Sequence, residues 1–161
     1  MNAGRYWARV SLAFLCLGIM VLWYRLPILV GGRAWFRNLL RYSGLAALGT
    51  MAFLRAGTHD LTVRIGGVLG LLAMGTLLFG LWKRRYVSLG LMGMWCLGCF
   101  LLNYAIYETG EYLGALPLIQ KITFTSFLLW FAWMHARLWR EDAWESEAVA
   151  ADPSLKNHFN P

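Results

Sequence analysis

Long apolar stretches separated by short polar breaks run through most of the chain. Four of them, at about residues 38–55, 65–82, 86–107 and 115–138, approach the roughly 20 apolar residues that a helix needs to cross a bilayer core of about 30 Å. The segment 8–30 is a weaker fifth stretch, because Arg25 and Pro27 interrupt it. The pattern predicts an all-α protein, an integral membrane bundle of four to five transmembrane helices.

The composition supports lipid rather than water as the main solvent. Hydrophobic residues make up 59% of the 161 residues and charged residues only 14%, with a mean hydropathy of +0.51. This is too little polar surface for a water-soluble globule. The net charge of +7 comes from short basic clusters between the apolar stretches, so we expect no nucleic-acid partner. Membrane lipid is the expected partner, together with other membrane-protein subunits or a second copy of the chain.

The charges of the loops predict an orientation, because Lys and Arg favour the cytoplasmic side of a membrane. The basic run 83–85 marks one loop as cytoplasmic, and Glu108 and Glu111 mark the next loop as external. Arg137 and Arg140 then close the last span inside the cell. We therefore expect a bundle over residues 1–140 and a polar cytoplasmic tail over 141–161, a short helix extension followed by disorder.

The first segment has two possible topologies. Five complete spans with a cytoplasmic C-terminus place Arg5 and Arg9 outside, against the preference of basic residues. The alternative is a first segment that enters the membrane and returns, which leaves four spans and both ends in the cytoplasm.

Small residues predict where the helices contact each other. Lipid tails are as apolar as leucine, so membrane helices associate through close packing and hydrogen bonds. Gly66 and Gly70 form a G-x-x-x-G pattern, and Gly90, Gly93 and Gly98 extend small residues to the next stretch. We predict that these glycines serve helix packing, either within one bundle or between copies.

The topology collects polar residues at the outer helix ends, and they form a candidate ligand-binding pocket. Lys121 would lie close to the membrane and needs an opposing charge, for which Glu108, Glu111 and Asp60 are candidates. Such a pocket could hold a lipid headgroup or a polar small molecule, with His59 or Glu108 moving a proton. The alternative is that these groups only satisfy each other at helix ends. The candidate residues are His59, Asp60, Asn103, Tyr107, Glu108, Glu111, Gln120 and Lys121.

The cysteines and histidines predict neither a metal nor a cofactor. Cys96, Cys99, Asn103 and Tyr107 share one helical face, which should turn toward the bundle. A redox pair needs an accessible turn and a zinc site needs further ligands, so we interpret the two cysteines as packing residues. His59 and His135 belong to opposite ends of the membrane and cannot ligate one haem.

Two segments carry a family resemblance. The pattern THDLTVRIGGVLGLLAMGTLLFGLWKRR, followed by NYAIYETGEYLGALPLIQKITF, resembles a bacterial family of multi-span proteins similar to Frag1/DRAM/Sfk1. His59 matches a histidine before an apolar span, and Gln120 with Lys121 match a Gln-Arg entry to a late span. Asp60 stands where Asn is commoner, and the chain is about one span short of the usual six. The resemblance implies a fold and a bacterial inner membrane, and it implies no reaction.

Three functions follow as hypotheses. The first is an accessory, scaffold or lipid-binding component of a membrane assembly, supported by the small size and the small-residue faces. The second is a lipid-handling membrane enzyme that uses the outer pocket. The third, a small transporter, has less support because the sequence has neither charges near the bilayer midplane nor a pair of broken helices.

Overall fold

A computed structural model describes residues 3–51 and 59–151, and within these ranges all the regular elements are helices. Five helices follow one another along the chain. They are α1 (Ala3–Val30), α2 (Ala34–Met51), α3 (His59–Lys83), α4 (Val87–Thr109) and α5 (Leu116–Ala151), with a short 3₁₀ turn at Leu113–Ala115 before α5.

Four segments in the described ranges are long and apolar enough to cross a membrane: Ala13–Val30, Asp60–Lys83, Val87–Thr109 and Leu113–Trp144. The predicted class, a helical membrane-embedded bundle, is therefore confirmed. The α1 helix qualifies as a span, whereas the described part of α2, which stops before residues 52–55 of the predicted stretch 38–55, does not. The α2 helix has 18 residues, about 27 Å at 1.5 Å per residue, and Arg37 and Arg41 lower its hydropathy.

Two helices are longer than the apolar stretches indicate, α3 at its start and α5 at its end. The α3 helix begins at His59 rather than near residue 65, so Asp60 and Arg64 belong to its first two turns. The α5 helix continues without a break from Leu116 to Ala151. At 36 residues, or about 54 Å, it is longer than a bilayer core. The disorder predicted for the end of the tail concerns residues 152–161, which lie outside the described residues.

Neighbouring helices alternate in direction, so the helix ends fall into two groups. The α1–α2 and α3–α4 connections lie together, since the Arg84 Nε donates to the Val30 carbonyl oxygen at 3.1 Å. The C-terminal part of α5 reaches the same place, where the Tyr86 hydroxyl donates to Glu141. We name this end the basic end, after the residues Arg25, Arg33, Arg37, Arg41, Lys83, Arg84, Arg85, Arg137 and Arg140. The opposite end, with Asp60, Arg64, Glu108, Glu111 and Lys121, is the mixed-charge end.

The tightest packing lies in the half of the bundle next to the basic end. The Trp23 Nε1 of α1 donates to the Leu40 carbonyl oxygen of α2 at 2.9 Å, and Trp130 Nε1 of α5 donates to the Leu89 carbonyl oxygen of α4 at 2.9 Å. Both indole rings are buried, so each hydrogen bond satisfies a polar atom that has no access to water. Leu26, Leu29, Leu40, Leu77, Leu81 and Met134 fill the space around them.

Large apolar side chains cover much of the outer surface of the bundle. Val68, Phe79, Leu91, Leu118 and Leu129 are each more than half exposed. On a soluble protein so extensive an apolar surface would drive association, whereas against lipid tails it costs nothing. The exposure is therefore the lipid-facing surface of a membrane protein.

Candidate functional site

An open groove of about 500 Å³ lies between α3 and α4 toward the mixed-charge end. Among its polar groups, Arg64, Tyr104 and Tyr107 belong to the ends of the two helices, whereas Leu71 and Phe100 lie nearer the middle of the helices. The groove is therefore polar at one end and apolar at the other. The full lining is Val63, Arg64, Gly67, Val68, Leu71, Phe100, Leu101, Asn103, Tyr104, Tyr107 and Gln120.

Two polar contacts join α3 to α4 at the rim of this groove. The Tyr107 hydroxyl donates to Asp60 Oδ1 at 3.3 Å, and the Arg64 Nη2 lies 3.1 Å from Glu108 Oε1. Tyr104, one turn before Glu108 on α4, also lines the groove. The Arg64 side chain is 62% exposed, so water screens its ion pair and the contact contributes little to stability. The rim thus presents one guanidinium, two phenols and two carboxylates to the surface.

Asn103 lies at the back of the groove and is held by backbone and side-chain contacts. Its Nδ2 donates to the Cys99 carbonyl oxygen at 3.0 Å and to Thr123 Oγ1, whose own hydroxyl donates to the Ile119 carbonyl oxygen at 2.8 Å. The Cys99 carbonyl accepts only, so it determines which end of the amide faces it. Within the described residues the buried Asn103 Oδ1 has no hydrogen-bond partner. An orphaned buried acceptor costs about 1–3 kcal/mol.

An apolar cavity of about 220 Å³ adjoins the groove inside the bundle. The two share Val63, Gly67, Leu71 and Phe100 in their linings. All five helices contribute to the cavity, through residues such as Ile19, Ala47, Leu97 and Phe127. The apolar cavity therefore lies directly beside the groove, against the same four residues.

Glycines of α3 make room for this cavity. Gly66, Gly67 and Gly70 all line it, and an added Cβ at Gly67 or at Gly70 would meet no atom within 4 Å. The G-x-x-x-G pattern therefore faces empty space at Gly70, where sequence reasoning predicts a helix contact.

Other glycines do receive a neighbouring helix or side chain. An added Cβ at Gly93 would lie 2.5 Å from the Trp130 ring, and one at Gly90 would lie 2.7 Å from Trp82 Nε1. Gly98 is exposed and open. Among the described glycines, an added Cβ would lie closest to a neighbour at Gly44, 1.7 Å from Trp23 Nε1, and at Gly80, 1.8 Å from Val30 Cγ1. Neither of these two glycines stands out in the sequence, because the aromatic or aliphatic partner lies on another helix.

The structure brings most of the predicted pocket residues to one end of the bundle. Asp60, Tyr107 and Glu108 take part in the rim, and Asn103 and Gln120 line the groove. Glu111 and Lys121 are exposed at the same end but are not part of the groove lining. His59 is the first residue of α3, and its side chain lies outside the described part of the structure.

Two residues of the rim, Arg64 and Tyr104, are absent from the predicted set. Glu108 pairs with Arg64, in the place that sequence reasoning gives to Lys121. Helical spacing carries the signal that identifies both, since Arg64 lies one turn after Asp60 and Tyr104 lies one turn before Glu108. This spacing identifies Arg64 only if α3 is known to begin at His59, because the hydrophobic pattern alone leaves residues 59–64 in a loop.

The two cysteines of α4 are buried among apolar residues, as the shared helical face predicts. Within residues 3–51 and 59–151, no three His, Cys, Asp or Glu side chains lie close enough together to hold a metal ion. The groove and its rim offer a guanidinium, carboxylates, amides and aromatic rings.

No family model, curated protein or solved structure matches this chain. The resemblance to the family similar to Frag1/DRAM/Sfk1 stays a prediction. The fold and the groove by themselves define a helical membrane-embedded bundle that carries an amphiphilic site between α3 and α4.

Proposed function

We propose that this protein binds a membrane lipid in the α3–α4 groove, as a lipid-binding component of a membrane assembly. The observation that supports it is that the polar-rimmed groove and the apolar cavity adjoin, with Val63, Gly67, Leu71 and Phe100 lining both. A lipid has the same order of groups, a polar head followed by an apolar chain. The headgroup would lie at Arg64 and Tyr107, and part of one acyl chain would fill the cavity.

The surroundings of the groove favour entry from the bilayer. Val68 is 68% exposed on the α3 side, and Leu101 is 45% exposed on the α4 side. Both apolar residues line the groove and face the lipid phase, so an acyl chain can enter sideways without passing through water. The weak polar contacts at the rim permit the small separation of α3 and α4 that entry requires.

The proposed orientation places the groove in the outer leaflet. Basic residues favour the cytoplasmic side, so the basic end and the C-terminus of α5 would lie in the cytoplasm of a bacterium and the mixed-charge end outside its inner membrane. In this orientation α1 crosses the membrane with its N-terminus outside. A bound lipid would then be exchanged with the outer leaflet of that membrane.

A groove-filling substitution tests the proposal. The Gly67→Leu side chain would extend into the groove and the cavity, and its Cβ meets no atom within 4 Å, so we expect the fold to be kept. Leucine also favours helix over glycine by about 1 kcal/mol. Gly75→Leu is the matched control, because Gly75 lies on the same helix, has equally open space and is outside the groove lining.

The measurement is native mass spectrometry of the protein released from lipid nanodiscs. We expect the wild type and Gly75→Leu to retain one lipid per chain and Gly67→Leu to lose it. Equal retention by all three proteins would contradict the proposal. A stoichiometric polypeptide partner without any retained lipid would replace it with a scaffold role.

A further inference from the structure

We infer that the groove selects a zwitterionic phospholipid, one whose headgroup carries both a phosphate and an ammonium group. The inference rests on the proposed lipid binding and specifies the headgroup. It follows from which charges and which aromatic faces form the rim.

The charges of the rim do not suit a purely anionic headgroup. Among the described residues of the rim, Arg64 is the cation, and Asp60 and Glu108 are the anions. An anionic lipid bound at Arg64 would meet the repulsion of Glu108, which contacts the same guanidinium. A headgroup with a phosphate and an ammonium matches both signs.

Arg64 is suited to the phosphate. One of its terminal nitrogens, Nη2, contacts Glu108 at 3.1 Å, and the side chain remains 62% exposed at the mouth of the groove. A guanidinium has five N–H donors in a planar fork, and phosphate oxygens accept them in pairs. Arg64 can therefore bind a phosphate while it stays in contact with Glu108.

Tyr104 and Tyr107 are suited to the ammonium. They lie three residues apart on α4, so both rings belong to the same side of that helix and both line the groove. A carboxylate lies beside each of them: the Tyr107 hydroxyl donates to Asp60, and Glu108 lies one turn after Tyr104 on the same helix. Aromatic faces with a carboxylate beside them attract an ammonium through cation–π and charge interactions.

An alternative explanation for Tyr104 and Tyr107 predicts a different headgroup preference. Tyrosine is enriched at the headgroup level of membrane proteins whatever the lipid, because the ring is amphipathic. If that were the whole reason for Tyr104 and Tyr107, the groove would bind lipids without preference for the headgroup.

The test is a competition between headgroups on identical acyl chains. The full-length protein is placed in nanodiscs with equal amounts of phosphatidylethanolamine, phosphatidylcholine and phosphatidylglycerol, and the retained lipid is identified by native mass spectrometry. We expect the two zwitterionic lipids together to be retained over phosphatidylglycerol by about two- to fivefold per lipid, the size of an exposed cation–π contribution.

Substitutions at the rim show which residues cause this headgroup preference. Glu108→Gln should bring the ratio close to one, while Glu111→Gln, which removes a charge at the same end from a residue that does not contact Arg64, should keep it. Tyr104→Leu should lower the ratio, and Tyr104→Phe, which keeps the aromatic face, should retain most of it.

The outcomes separate the headgroup from the binding itself. A retained lipid that Gly67→Leu removes, but with no preference or with a preference for phosphatidylglycerol, overturns the headgroup inference and leaves the proposed function standing. An equal response to Glu108→Gln and Glu111→Gln also overturns it. Lipid retention that Gly67→Leu does not change overturns the proposed function and this inference with it.

Discussion

The two ends of the bundle are held together by different kinds of contact. Toward the basic end, buried indole groups of Trp23 and Trp130 donate to backbone carbonyl oxygens of other helices, and Arg84 does the same from the α3–α4 connection. At the mixed-charge end, α3 and α4 are joined through the side chains of Tyr107 and Arg64, both largely exposed.

Glycine has opposite effects in these two regions. Gly44 and Gly93 receive tryptophan rings, so the missing side chain brings helices together. Gly67 and Gly70 receive nothing within 4 Å, so the missing side chain leaves a cavity. The difference indicates a rigid half that carries the fold and a more open half that contains the candidate site, where weak contacts permit local opening.

The largest effect should come from closing the space that Trp23 occupies. A Cβ at Gly44 would lie 1.7 Å from Trp23 Nε1, so Gly44→Ala must displace the ring and break its bond to the Leu40 carbonyl oxygen. We expect a loss of about 3 kcal/mol in the free energy of unfolding, measured in mild detergent. Gly49→Ala on the same helix meets no atom within 4 Å and should be neutral or stabilising. Equal stability of the two variants would contradict the picture of a rigid half.

A second comparison uses one glycine at each end. Gly31 and Gly110 both have left-handed backbone, with φ of +58° and +70°, so alanine costs about 1 kcal/mol of strain at either. At Gly31 the new Cβ would also lie 1.9 Å from Arg84 Nη2 and would push Arg84 away from the Val30 carbonyl oxygen. We therefore expect Gly31→Ala to lose about 2 kcal/mol and Gly110→Ala about 1 kcal/mol in thermal unfolding.

The background variant Arg84→Ala shows whether that difference comes from Arg84. In the Arg84→Ala background, Gly31→Ala should lower the free energy of unfolding by no more than Gly110→Ala does. A difference that survives the removal of Arg84 would mean that this contact does not hold the basic end together.

The ion pairs of the two ends should differ in coupling free energy, by less than the effects described above. Arg25 Nη2 contacts both oxygens of Asp142, at 2.7 and 2.8 Å, whereas Arg64 makes a single 3.1 Å contact with Glu108. Double-mutant cycles should give a coupling free energy of up to about 1 kcal/mol for Arg25–Asp142 and less than about 0.5 kcal/mol for Arg64–Glu108, because all four side chains are partly exposed. Stronger coupling for Arg64–Glu108 than for Arg25–Asp142 would mean that the rim holds α3 and α4 together and does not open.

The smallest expected effect is a pH dependence confined to the basic end. Burial of the ring, followed by the hydrogen bond to Glu141 and its charge, raises the pKa of Tyr86 above 10.0. The folded protein then keeps the Tyr86 proton at a pH where the unfolded chain has lost it. This contribution to stability is complete below pH 10.0 and is lost as the pH rises through the folded-state pKa.

The variant Tyr86→Phe isolates this contribution from that of the other tyrosines. We expect the stability difference between wild type and Tyr86→Phe to be constant below about pH 9 and to decrease above about pH 10. If the stability difference between the two proteins did not change with pH across this range, the Tyr86–Glu141 contact would not stabilise the basic end.

The apolar pattern alone was sufficient for the helical class, for both ends of α4 to within two residues, and for the end of α3 and the start of α5 to within one residue. It made α1 the weaker span because Arg25 and Pro27 interrupt the apolar run. In the structure Pro27 is buried within α1, and Arg25 turns to Asp142 on α5. Interhelical partners of this kind have no signature in the spacing of residues along one helix.

The same distinction applies to the candidate site. Sequence alone determined that Asp60, Asn103, Tyr107 and Glu108 belong to one end of the bundle, since helix length and alternating direction are properties of the chain. Only the tertiary structure decided that Arg64 pairs with Glu108 and that Gly67 borders a cavity while Gly44 receives a tryptophan. The physical reason is that helical periodicity tells which residues share a face, whereas the packing of a second helix decides what that face meets.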